Sequence, residues 1–365
     1  MRRVLPIGLD IGTTTVRMLQ LGGTEADLRV VEAAKYVVPQ EVRAAPSARR
    51  AAIIEGIRGM LRDRRFRRRE VIVALSAEEM AVRSIRIPKT PREELPTAVN
   101  WEVQNKFPFD TATAVVQFLP AGEIRQGDQI MDEIIVFVAP RAEVEAKIDL
   151  ACQVGLDLAS LDAEPSAVFR GFERQLRRRE DEETVTALVD IGSKSTVVIA
   201  RGRNIIFVKT IPIGGGIFNR SVAECLELAA TEAEALRRRL ARRSEEVDPS
   251  DPVRRAVADC LRPHVEDLAA EIGLCLRYYG VTFRGPRPER ILCTGGEGHD
   301  PAVPAMLADR LGAEVQVGDP FRQVRTDDLE GVLDRRGCLS EWTTSFGLSL
   351  KGLALAEPLQ AGCAA

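Results

Sequence analysis

Two segments of the chain share one hydrophobic pattern, and the other elements are arranged around them. Leu5–Thr15 (LPIGLDIGTTT) and Ala187–Thr196 (ALVDIGSKST) each contain an apolar run, then an Asp, an Ile-Gly pair and a hydroxyl-rich turn. Such a run bounded by a turn predicts a buried strand closed by a hairpin. Two copies predict two lobes of similar fold, each of which offers one loop to a shared ligand.

The first hairpin predicts a sheet followed by a helix. Val16–Leu21 alternates as the second arm of the hairpin, Leu28–Tyr36 continues the sheet, and Val71–Leu75 is a further strand. Between them, apolar residues at helical spacing predict a helix over Arg49–Arg69. Its end, RDRRFRRRE, is the densest basic cluster of the chain. Both a solvated helix end, favoured by the helix dipole, and a surface for an anionic partner remain open.

The next part of the chain predicts a third unit, inserted into the first lobe. The predicted strands are Ser84–Pro88, Val115–Leu119, Glu133–Val138 and Leu156–Leu161, with helices at Pro91–Phe107 and Arg141–Val154 and a polar turn, AGEIRQGDQ, between the middle strands. The order β-α-β-β-α-β is that of a ferredoxin-like subdomain. We therefore predict an α/β protein with a first lobe at 1–83, 162–183 and 341–365, an inserted subdomain at 84–161 and a second lobe at 184–340.

The second lobe is predicted from a further series of apolar runs. The stretch Leu161–Phe172 leaves the insert and enters a helix that leads into this lobe. The later elements of the lobe are a strand at Ile205–Val208, a helix after Gly214–Gly216, a charged helix around Glu232–Arg238, a long helix over Val253–Tyr279, a strand entering the glycine turn of Glu289–Gly298, a helix at Pro301–Leu311 and a strand at Glu314–Val317. A last helix over about Glu341–Leu355 returns to the first lobe. The segment DPSDP breaks the chain before the long helix.

Composition narrows the class of protein. The chain has 365 residues, 45% of them hydrophobic, which is enough for the cores of two or three domains. A net charge of −3 argues against a general nucleic-acid binder. We see no apolar run of membrane-spanning length and no signal peptide, and therefore expect a cytoplasmic protein. Seven scattered cysteines predict reduced, mainly buried thiols, and two histidines leave little for a metal cluster or a Ser-His-Asp triad.

The two hairpin turns carry the candidate chemistry. Gly12 and Gly192 leave no side chain, so phosphate oxygens can approach the backbone N–H groups of each turn. Asp10 and Asp190 then lie where a hard cation held by phosphates needs a carboxylate. A single Asp-Ile-Gly is also an ordinary strand end, but two copies favour the phosphate role. The glycines at 214–216 precede a helix and predict either an anion site or a plain turn.

Taken in order, these segments resemble a known family. The series IGLDIGTTT, LDAEPSAVF, ALVDIGSKST, IGGG, EAEALRR and LCTGGEG is similar to the nucleotide-binding segments of the actin-like ATPase superfamily, in which two lobes close on Mg-ATP. In detail the chain resembles the PilM family of type IV pilus assembly, also described as the competence protein A family, over nearly its whole length. The most specific parts are WEVQNKFPFD, IPIGGGIFNRSV, TGGEG with the later VGDPF, and the closing FGLSLKG.

The resemblance implies roles for individual residues. On the first phosphate loop it places Asp10, Gly12, Thr13, Thr14 and Thr15, followed by Arg17, and on the second Asp190, Gly192, Ser193 and Ser195. It implies that Gly214 and Gly215 cradle phosphate, and that Glu234, Arg237, Gly295 and Gly296 surround the adenosine. Asp10 and Asp190 would hold Mg, and Glu164 would orient the metal's water shell or the attacking water. The likeness at Glu234 replaces the alternative of a merely solvated helix.

Two positions depart from the family pattern. Arg17 stands where Lys is usual, keeping the charge but binding phosphate as a fork rather than as a point. Glu297 stands in a glycine turn that more often continues with Gly and a small residue, and would lower affinity for an anionic ligand. We place no arginine finger in the sequence, and therefore expect slow ATP hydrolysis or none.

The closest rival family is FtsA, the actin-like protein of cell division, and a sugar kinase of the same superfamily is a weaker alternative. An FtsA-like protein ends in a basic amphipathic membrane helix, whereas the tail LALAEPLQAGCAA has no Lys or Arg and contains Pro358. We find no D-x-G-x-x sugar segment for a kinase. These differences favour the PilM family.

The resemblance also implies a partner. It predicts a groove between the insert and the first lobe that accepts the N-terminal peptide of PilN, an inner-membrane protein, besides contacts with other pilus components and self-association. Trp101, Phe107 and Phe109 are candidates to line it, since only 5% of the chain is aromatic. Core packing is the alternative for Trp101 and Phe107, while Phe109 follows a helix-ending proline. We expect no nucleic-acid binding, and attachment to the inner membrane through this partner rather than by direct insertion.

Overall fold

The structure, a computed structural model, describes residues 3–104, 106–107, 113–176, 179–242, 251–288, 290–298, 300–326 and 339–355. The strands are β1 (Val4–Ile11), β2 (Thr15–Thr24), β3 (Asp27–Val37), β4 (Glu70–Leu75), β5 (Ala81–Pro88), β6 (Ala114–Gln126), β7 (Gln129–Pro140), β8 (Asp157–Ala163), β9 (Val185–Ile191), β10 (Ser195–Arg201), β11 (Asn204–Ile211), β12 (Arg290–Thr294) and β13 (Val315–Val317). The α-helices are α1 (Pro46–Asp63), α2 (Leu95–Val103), α3 (Arg141–Gln153), α4 (Glu164–Glu173), α5 (Gly215–Cys225), α6 (Ala230–Arg242), α7 (Pro252–Phe283), α8 (Ala302–Leu311) and α9 (Thr343–Leu355).

The two lobes repeat one sheet topology. The first sheet has the order β3-β2-β1-β4-β8 and the second the order β11-β10-β9-β12-β13. In both, the first three strands of the lobe form an antiparallel meander, and the last two lie parallel to the central strand. The prediction of two similar α/β lobes from the repeated hairpin is confirmed.

Each sheet is covered by helices whose apolar faces form the cores. In the first lobe, Ile53 and Ile57 of α1 pack with Ile7 and Leu9 of β1. The second lobe has a larger core, in which α5, α7 and α8 cover β9 and β12. The closing helix α9 returns to the first lobe, where Phe346 is fully buried against β1 and β2. These cores hold the two hairpin turns in fixed positions.

The helix predicted over Arg49–Arg69 ends earlier, at Asp63. The remaining arginines lie on an irregular segment, because its backbone is bound by side chains of the sheet: Glu32 accepts the Arg65 N–H at 3.0 Å and Gln20 accepts the Arg67 N–H at 2.9 Å. Phe66 packs on the core of the first lobe. The interpretation of the whole basic cluster as a helix end is therefore wrong.

The inserted subdomain differs from the predicted ferredoxin-like topology in one strand. Its sheet has three strands, in the order β5-β7-β6, and α2 packs on it. The predicted fourth strand, β8, pairs in parallel with β4 in the first lobe. The helix α3 accompanies it, since Leu150 and Ala151 belong to the first-lobe core. The domain boundaries proposed from the sequence remain a prediction.

Two element predictions inside the insert also change. The predicted polar turn AGEIRQGDQ is largely strand, because β6 continues to Gln126 and only Gly127 and Asp128 form the turn. Its polar side chains lie on the open face of the sheet while Ile124 is buried, which made a strand resemble a loop. The helix α2 is shorter than the predicted Pro91–Phe107, and Trp101 on it is 68% exposed rather than in the core.

Some predictions concern residues beyond the described ranges. Phe109, Cys338, Cys363, His299 and most of the C-terminal tail lie outside them. Of the described cysteines, Cys260, Cys275 and Cys293 are buried as expected, whereas Cys152 and Cys225 are exposed. In the part of the chain that the structure describes, no helix combines the length and the apolar character needed to cross a bilayer.

Candidate functional site: a cleft between the lobes

Each predicted phosphate loop is closed by a backbone hydrogen bond from its glycine, and the first loop is one residue longer than the second. The Gly12 N–H donates to the Thr15 carbonyl at 2.9 Å, and the Gly192 N–H donates to the Lys194 carbonyl at 2.9 Å. Both turns face one cavity of about 560 Å³ between the lobes. The cavity is lined by Thr13, Thr14 and Thr15 from the first turn and by Ser193 and Lys194 from the second. The two repeated turns predicted from the sequence thus line one cavity.

Three carboxylates meet beneath these turns. Asp10 and Asp190 are the penultimate residues of β1 and β9, and Glu164 is the first residue of α4. Burial, reinforced by the charge of Asp190 and then of Asp10, raises the pKa of Glu164 to about 8. Burial and the charge of Asp10 raise the pKa of Asp190 to about 7, and burial also raises the pKa of Asp10. Such a buried negative cluster favours a cation.

The arrangement fits Mg²⁺ held largely by phosphate and water. Among the described residues, no group of three or more His, Cys, Asp or Glu side chains is placed to hold a metal ion by itself. Mg²⁺ usually keeps several waters and binds one or two carboxylates together with substrate phosphates. Asp10 and Asp190 beside two glycine turns supply that donor set. Glu164 is fixed by the Ala77 N–H, which donates to its Oε2 at 3.1 Å.

Arg17 is tied to carboxylates on two sides. Its Nη1 lies 3.3 Å from Asp10 Oδ2, and its Nη2 lies 2.8 Å from Glu341 Oε2. Lys35 Nζ also reaches Glu341 Oε2, at 2.6 Å. Burial alone would raise the pKa of the Glu341 carboxyl. The charges of Arg17 and Lys35 outweigh this effect and hold that pKa at about 2. Burial lowers the pKa of Lys35, although the charge of Glu341 acts in the opposite direction. The charge of nearby Arg17 lowers this pKa further.

Two glycines are required by close approach of neighbouring backbone. A Cβ on Gly214 would lie 2.6 Å from the Gly192 carbonyl oxygen, so this glycine lets α5 approach the second phosphate loop. The following Gly215 N–H donates to that same carbonyl at 2.8 Å. Gly295 has a φ of +85°, and a Cβ there would lie 2.6 Å from Asp190 Oδ1. Gly214 therefore supports the cavity from behind, while Gly215, Gly295 and Gly296 line it.

The predicted adenosine residues carry partners in the structure. Glu234 Oε2 accepts from Arg43 Nη1 at 2.7 Å, and Arg238 forms an ion pair with Oε1 at 2.6 Å. Arg237 donates to Asn219 Oδ1 at 2.6 Å and to Glu297 Oε2 at 2.5 Å. Its guanidinium also lies over the Phe218 ring. Glu297, the unusual acid of the glycine turn, therefore neutralises Arg237 within the second lobe.

One implied phosphate ligand faces away from the cavity. The Ser195 hydroxyl is fully buried and donates to the Ile213 carbonyl at 2.6 Å. Side chains alternate along β10, so the side chain of Ser195 points to the opposite side of the strand from that of Thr196, which does line the cavity. Ser195 thus braces the second loop. Apart from Gly214, the other residues that the resemblance assigns to the nucleotide site line the cavity, and their roles there remain predictions.

Several cleft residues were missed by the sequence. They are Lys35, Arg43, Arg49, Asn219 and Glu341, all of which line the cavity. Arg49 Nη2 donates to the Gly12 carbonyl at 2.9 Å and so fixes the first turn. Only Asn219 stood in a conspicuous motif, IGGGIFNRSV. The others lie outside such motifs: Lys35 is on β3, Arg43 precedes α1, Arg49 is on α1 and Glu341 precedes α9, and only the fold brings them to the cleft.

A second cavity of about 760 Å³ lies where the insert, the first lobe and the second lobe meet. It is lined by Ala77–Ser84, by Pro140 and Glu143, and by Phe207–Thr210 with Tyr278. Arg83 on its wall lies over the Phe107 ring, at 5.3 Å from the centroid. The segment Ala77–Glu79 lines both cavities, and its Ala77 N–H binds Glu164.

Two lobes of the same sheet topology that close on a cleft of carboxylates and glycine turns define a protein of actin-like ATPase fold. The chain belongs to the PilM family: the pattern of "Type IV pilus assembly protein PilM" matches residues 8–353. It is similar in structure to a PilM-PilN type IV pilus biogenesis complex, with 24% identity, a TM-score of 0.79 and coverage of 96% of this chain and 99% of that one. It is also similar to the ethanolamine utilization protein EutJ from Carboxydothermus hydrogenoformans, with 14% identity, a TM-score of 0.54 and coverage of 95% and 89%. No curated protein matches the chain.

Proposed function

We propose that this protein is a nucleotide-loaded actin-like component of a type IV pilus or a related secretion machine. Mg-ATP or ADP binds between the lobes, with phosphates at the two glycine turns and the metal near Asp10 and Asp190. Nucleotide holds the lobes together, and a membrane-bound partner recognises the closed form. Assembly, rather than rapid turnover, is the output of the site.

Unsatisfied polar atoms around the cleft carry the nucleotide assignment. Arg17 Nε and Arg237 Nε are buried without a hydrogen-bond partner among the described residues. Buried polar groups are normally satisfied, so such a group often marks a missing ligand or water. The two donors suit phosphate or base acceptors. Both residues line the same cavity.

The test of this proposal is binding by the purified full-length chain. Protein shown to be empty is titrated with Mg-ATP and Mg-ADP, and its melting temperature is followed. Ligand at about 100 Kd should add roughly 2.7 kcal/mol to the free energy of unfolding. Asp190→Ala should remove most of this shift, whereas Asp309→Ala, on the surface of α8, should keep it. A melting temperature that does not move in millimolar Mg-ATP would refute nucleotide binding.

For the partner, we propose the short N-terminal peptide of a PilN-like inner-membrane protein. The relative with the TM-score of 0.79 is described as a PilM-PilN complex, which motivates this partner. The second cavity supports this partner, because it borders β5. Within the described sheet, β5 is an edge strand that pairs with β7 on one side only. An extended peptide can add main-chain hydrogen bonds at such an edge and place apolar anchors beside Phe107.

Membrane attachment through this peptide is tested in cells. The cytoplasmic peptide of the PilN-like protein is deleted, and the chain is followed by fractionation. We expect it to move from the membrane pellet to the supernatant, while a deletion elsewhere in the PilN-like protein leaves it in the pellet. Retention in the pellet after loss of the peptide would mean that the groove is not the anchor.

A further inference from the structure

An arginine surface lies on the first lobe, away from both cavities. It consists of Arg62, Arg64, Arg65, Arg67, Arg68 and Arg69, and every one of these side chains is exposed. The same stretch contains only Asp63 and Glu70 as acids, so 62–70 carries a formal charge of +4. Since the whole chain carries −3, the remaining residues carry −7. The arginine surface is thus a cationic site on an otherwise acidic protein.

The helix dipole does not account for this surface. Only Arg62 lies in the last turn of α1, because the helix ends at Asp63. The other arginines follow on the irregular segment, beyond the turn in which the dipole acts. Six like charges so close together repel one another, which disfavours the folded state in the absence of a counter-charge. A solvated helix end would need no such concentration of charge.

The backbone of the segment holds the arginines outward. Phe66 is anchored in the core of the first lobe, and the N–H groups on either side of it, from Arg65 and Arg67, are held by Glu32 and Gln20. Gln20 is itself fully buried. Since one apolar residue points inward and its neighbours are fixed, the flanking guanidinium groups must face solvent. The surface is preorganised rather than loose.

Most of the charge is uncompensated within the described residues. Arg62 pairs with Asp63 at 3.3 Å and Arg68 with Glu70 at 3.5 Å, both at exposed positions. No ion pair within the described ranges involves the side chains of Arg64, Arg65, Arg67 or Arg69. Exposed arginines that lack carboxylate partners are available to phosphate groups, which guanidinium binds as a fork.

We propose that the arginine surface binds the phosphate headgroups of an anionic membrane. Neither cavity includes any of these arginines, and an open cluster without a groove suits a diffuse surface of phosphates better than a peptide, which needs pockets. Clusters of four to eight basic residues are characteristic of proteins that bind anionic lipid. The contact is peripheral and electrostatic, with no insertion of the chain. It adds to the PilN-like anchor without depending on it, and it is too weak to keep the protein in the membrane pellet once the PilN-like peptide is removed.

The position of the surface leaves the nucleotide cleft free. The arginines precede β4, whereas Ser76–Glu79 at the cleft follow it, so the two sites lie at opposite ends of a strand of six residues. At about 3.3 Å per residue, they are separated by roughly 20 Å. A membrane bound at one end therefore does not cover the other.

The experiment is co-sedimentation of the full-length protein with lipid vesicles, in the absence of any partner protein. Vesicles of phosphatidylcholine alone are compared with vesicles in which one third of the lipid is phosphatidylglycerol. We expect binding only to the anionic vesicles and its loss when the salt is raised. The variant carries Arg64→Gln, Arg67→Gln and Arg69→Gln together. The matched control carries Arg255→Gln, Arg262→Gln and Arg287→Gln, which remove three exposed arginines from the second lobe.

Each basic residue near an anionic surface contributes about 1 kcal/mol, or about fivefold in partitioning. Arg64→Gln/Arg67→Gln/Arg69→Gln should therefore lower the partition constant by about tenfold or more, and the control should stay near the wild type. An equal loss in both variants would show a non-specific charge effect and overturn the proposal. The proposal would also be overturned if the wild-type protein did not bind anionic vesicles, including the case in which it bound duplex DNA at the same salt instead. The test uses no nucleotide or PilN-like peptide, so its failure leaves the proposed function intact.

Discussion

Arg43 Nη1 of the first lobe lies 2.7 Å from Glu234 Oε2 of the second lobe, across the mouth of the cleft. Arg43 also donates from Nε to the Val38 carbonyl at 2.9 Å, and the Val38 N–H donates to the Thr14 carbonyl at 3.0 Å. A continuous path of hydrogen bonds therefore connects the first predicted phosphate loop to the helix that carries Glu234 and Arg237. In the proposed nucleotide complex, this path links the phosphate end of the site to its adenosine end through the protein.

Removal of Arg43 should loosen the two lobes. Arg43→Gln is expected to lower the free energy of unfolding by about 1–3 kcal/mol, since Glu234 is buried and loses a hydrogen bond from a charged donor. Chemical denaturation of Arg43→Gln, Glu234→Gln and the double variant gives their coupling energy. A coupling below about 0.5 kcal/mol would mean that the pair is incidental. Arg58→Gln, an exposed change on α1, is the control.

Gly295 should tolerate no side chain. Gly295→Ala combines a left-handed φ with a collision at Asp190, whereas Gly127→Ala meets the same kind of φ with nothing within 4 Å. We expect about 1 kcal/mol of destabilisation at Gly127 from the backbone alone, and at least about 2 kcal/mol at Gly295. Only Gly295→Ala should also weaken nucleotide binding in a calorimetric titration. Equal effects of the two changes would argue against a tight fit between Gly295 and Asp190.

Glu341 should make stability depend on acid pH. The pKa of its carboxyl is about 2 in the folded protein against an ordinary 4.5, so its contribution is present above pH 4.5 and is lost as pH falls towards 2. Glu341→Gln should therefore cost about 3 kcal/mol at pH 7. The difference from the wild type should shrink in denaturation curves taken from pH 5 down to pH 3. A difference that is independent of pH would contradict the ion pairs with Arg17 and Lys35.

The lobes could be predicted from the sequence because the signal is local. Each hairpin combines an apolar strand, an Asp and a glycine turn within eleven residues or fewer, and their pairing repeats in both sheets. What could not be predicted depends on partners far apart in the chain. β8 has the pattern of any half-buried strand, and its assignment to the first lobe follows from its pairing with β4.

The candidate site also contains both residues whose positions could be predicted from the sequence and residues whose positions could not. Asp10 and Asp190 lie at the ends of strands and Glu164 begins a helix, so their positions could be inferred from motifs. Glu341 reaches Arg17 only because α9 returns from the far end of the chain, and no spacing in the sequence indicates that contact. Ser195 illustrates a limit of motif transfer, since strand alternation places its hydroxyl on the Ile213 carbonyl instead of in the cleft.

Glu164 should affect chemistry more than binding. Glu164→Gln keeps the size of the side chain and its contact with the Ala77 N–H, but removes the carboxylate that could orient a water. We expect nucleotide affinity within about threefold of the wild type and loss of the hydrolysis that the wild type shows. The wild type itself should turn over more slowly than about 1 s⁻¹ without a partner, the low end for kinases. Faster turnover would contradict an assembly role.

Trp101 provides the last prediction, because its exposure is unusual for tryptophan. It is 68% exposed on α2, while Leu95, Val99 and Val103 fill the buried face of that helix. Core packing therefore does not explain it, and exposed aromatic residues are frequent anchors at interfaces. Trp101→Ala should weaken binding of a PilN-like N-terminal peptide by at least about 1 kcal/mol, measured by fluorescence polarisation of a labelled peptide. Phe109→Ala is expected to act in the same direction. The control is Ile148→Ala, another exposed apolar residue on α3, which should leave peptide affinity unchanged. Unaltered peptide binding by Trp101→Ala, with nucleotide affinity also intact, would remove this helix from the docking surface.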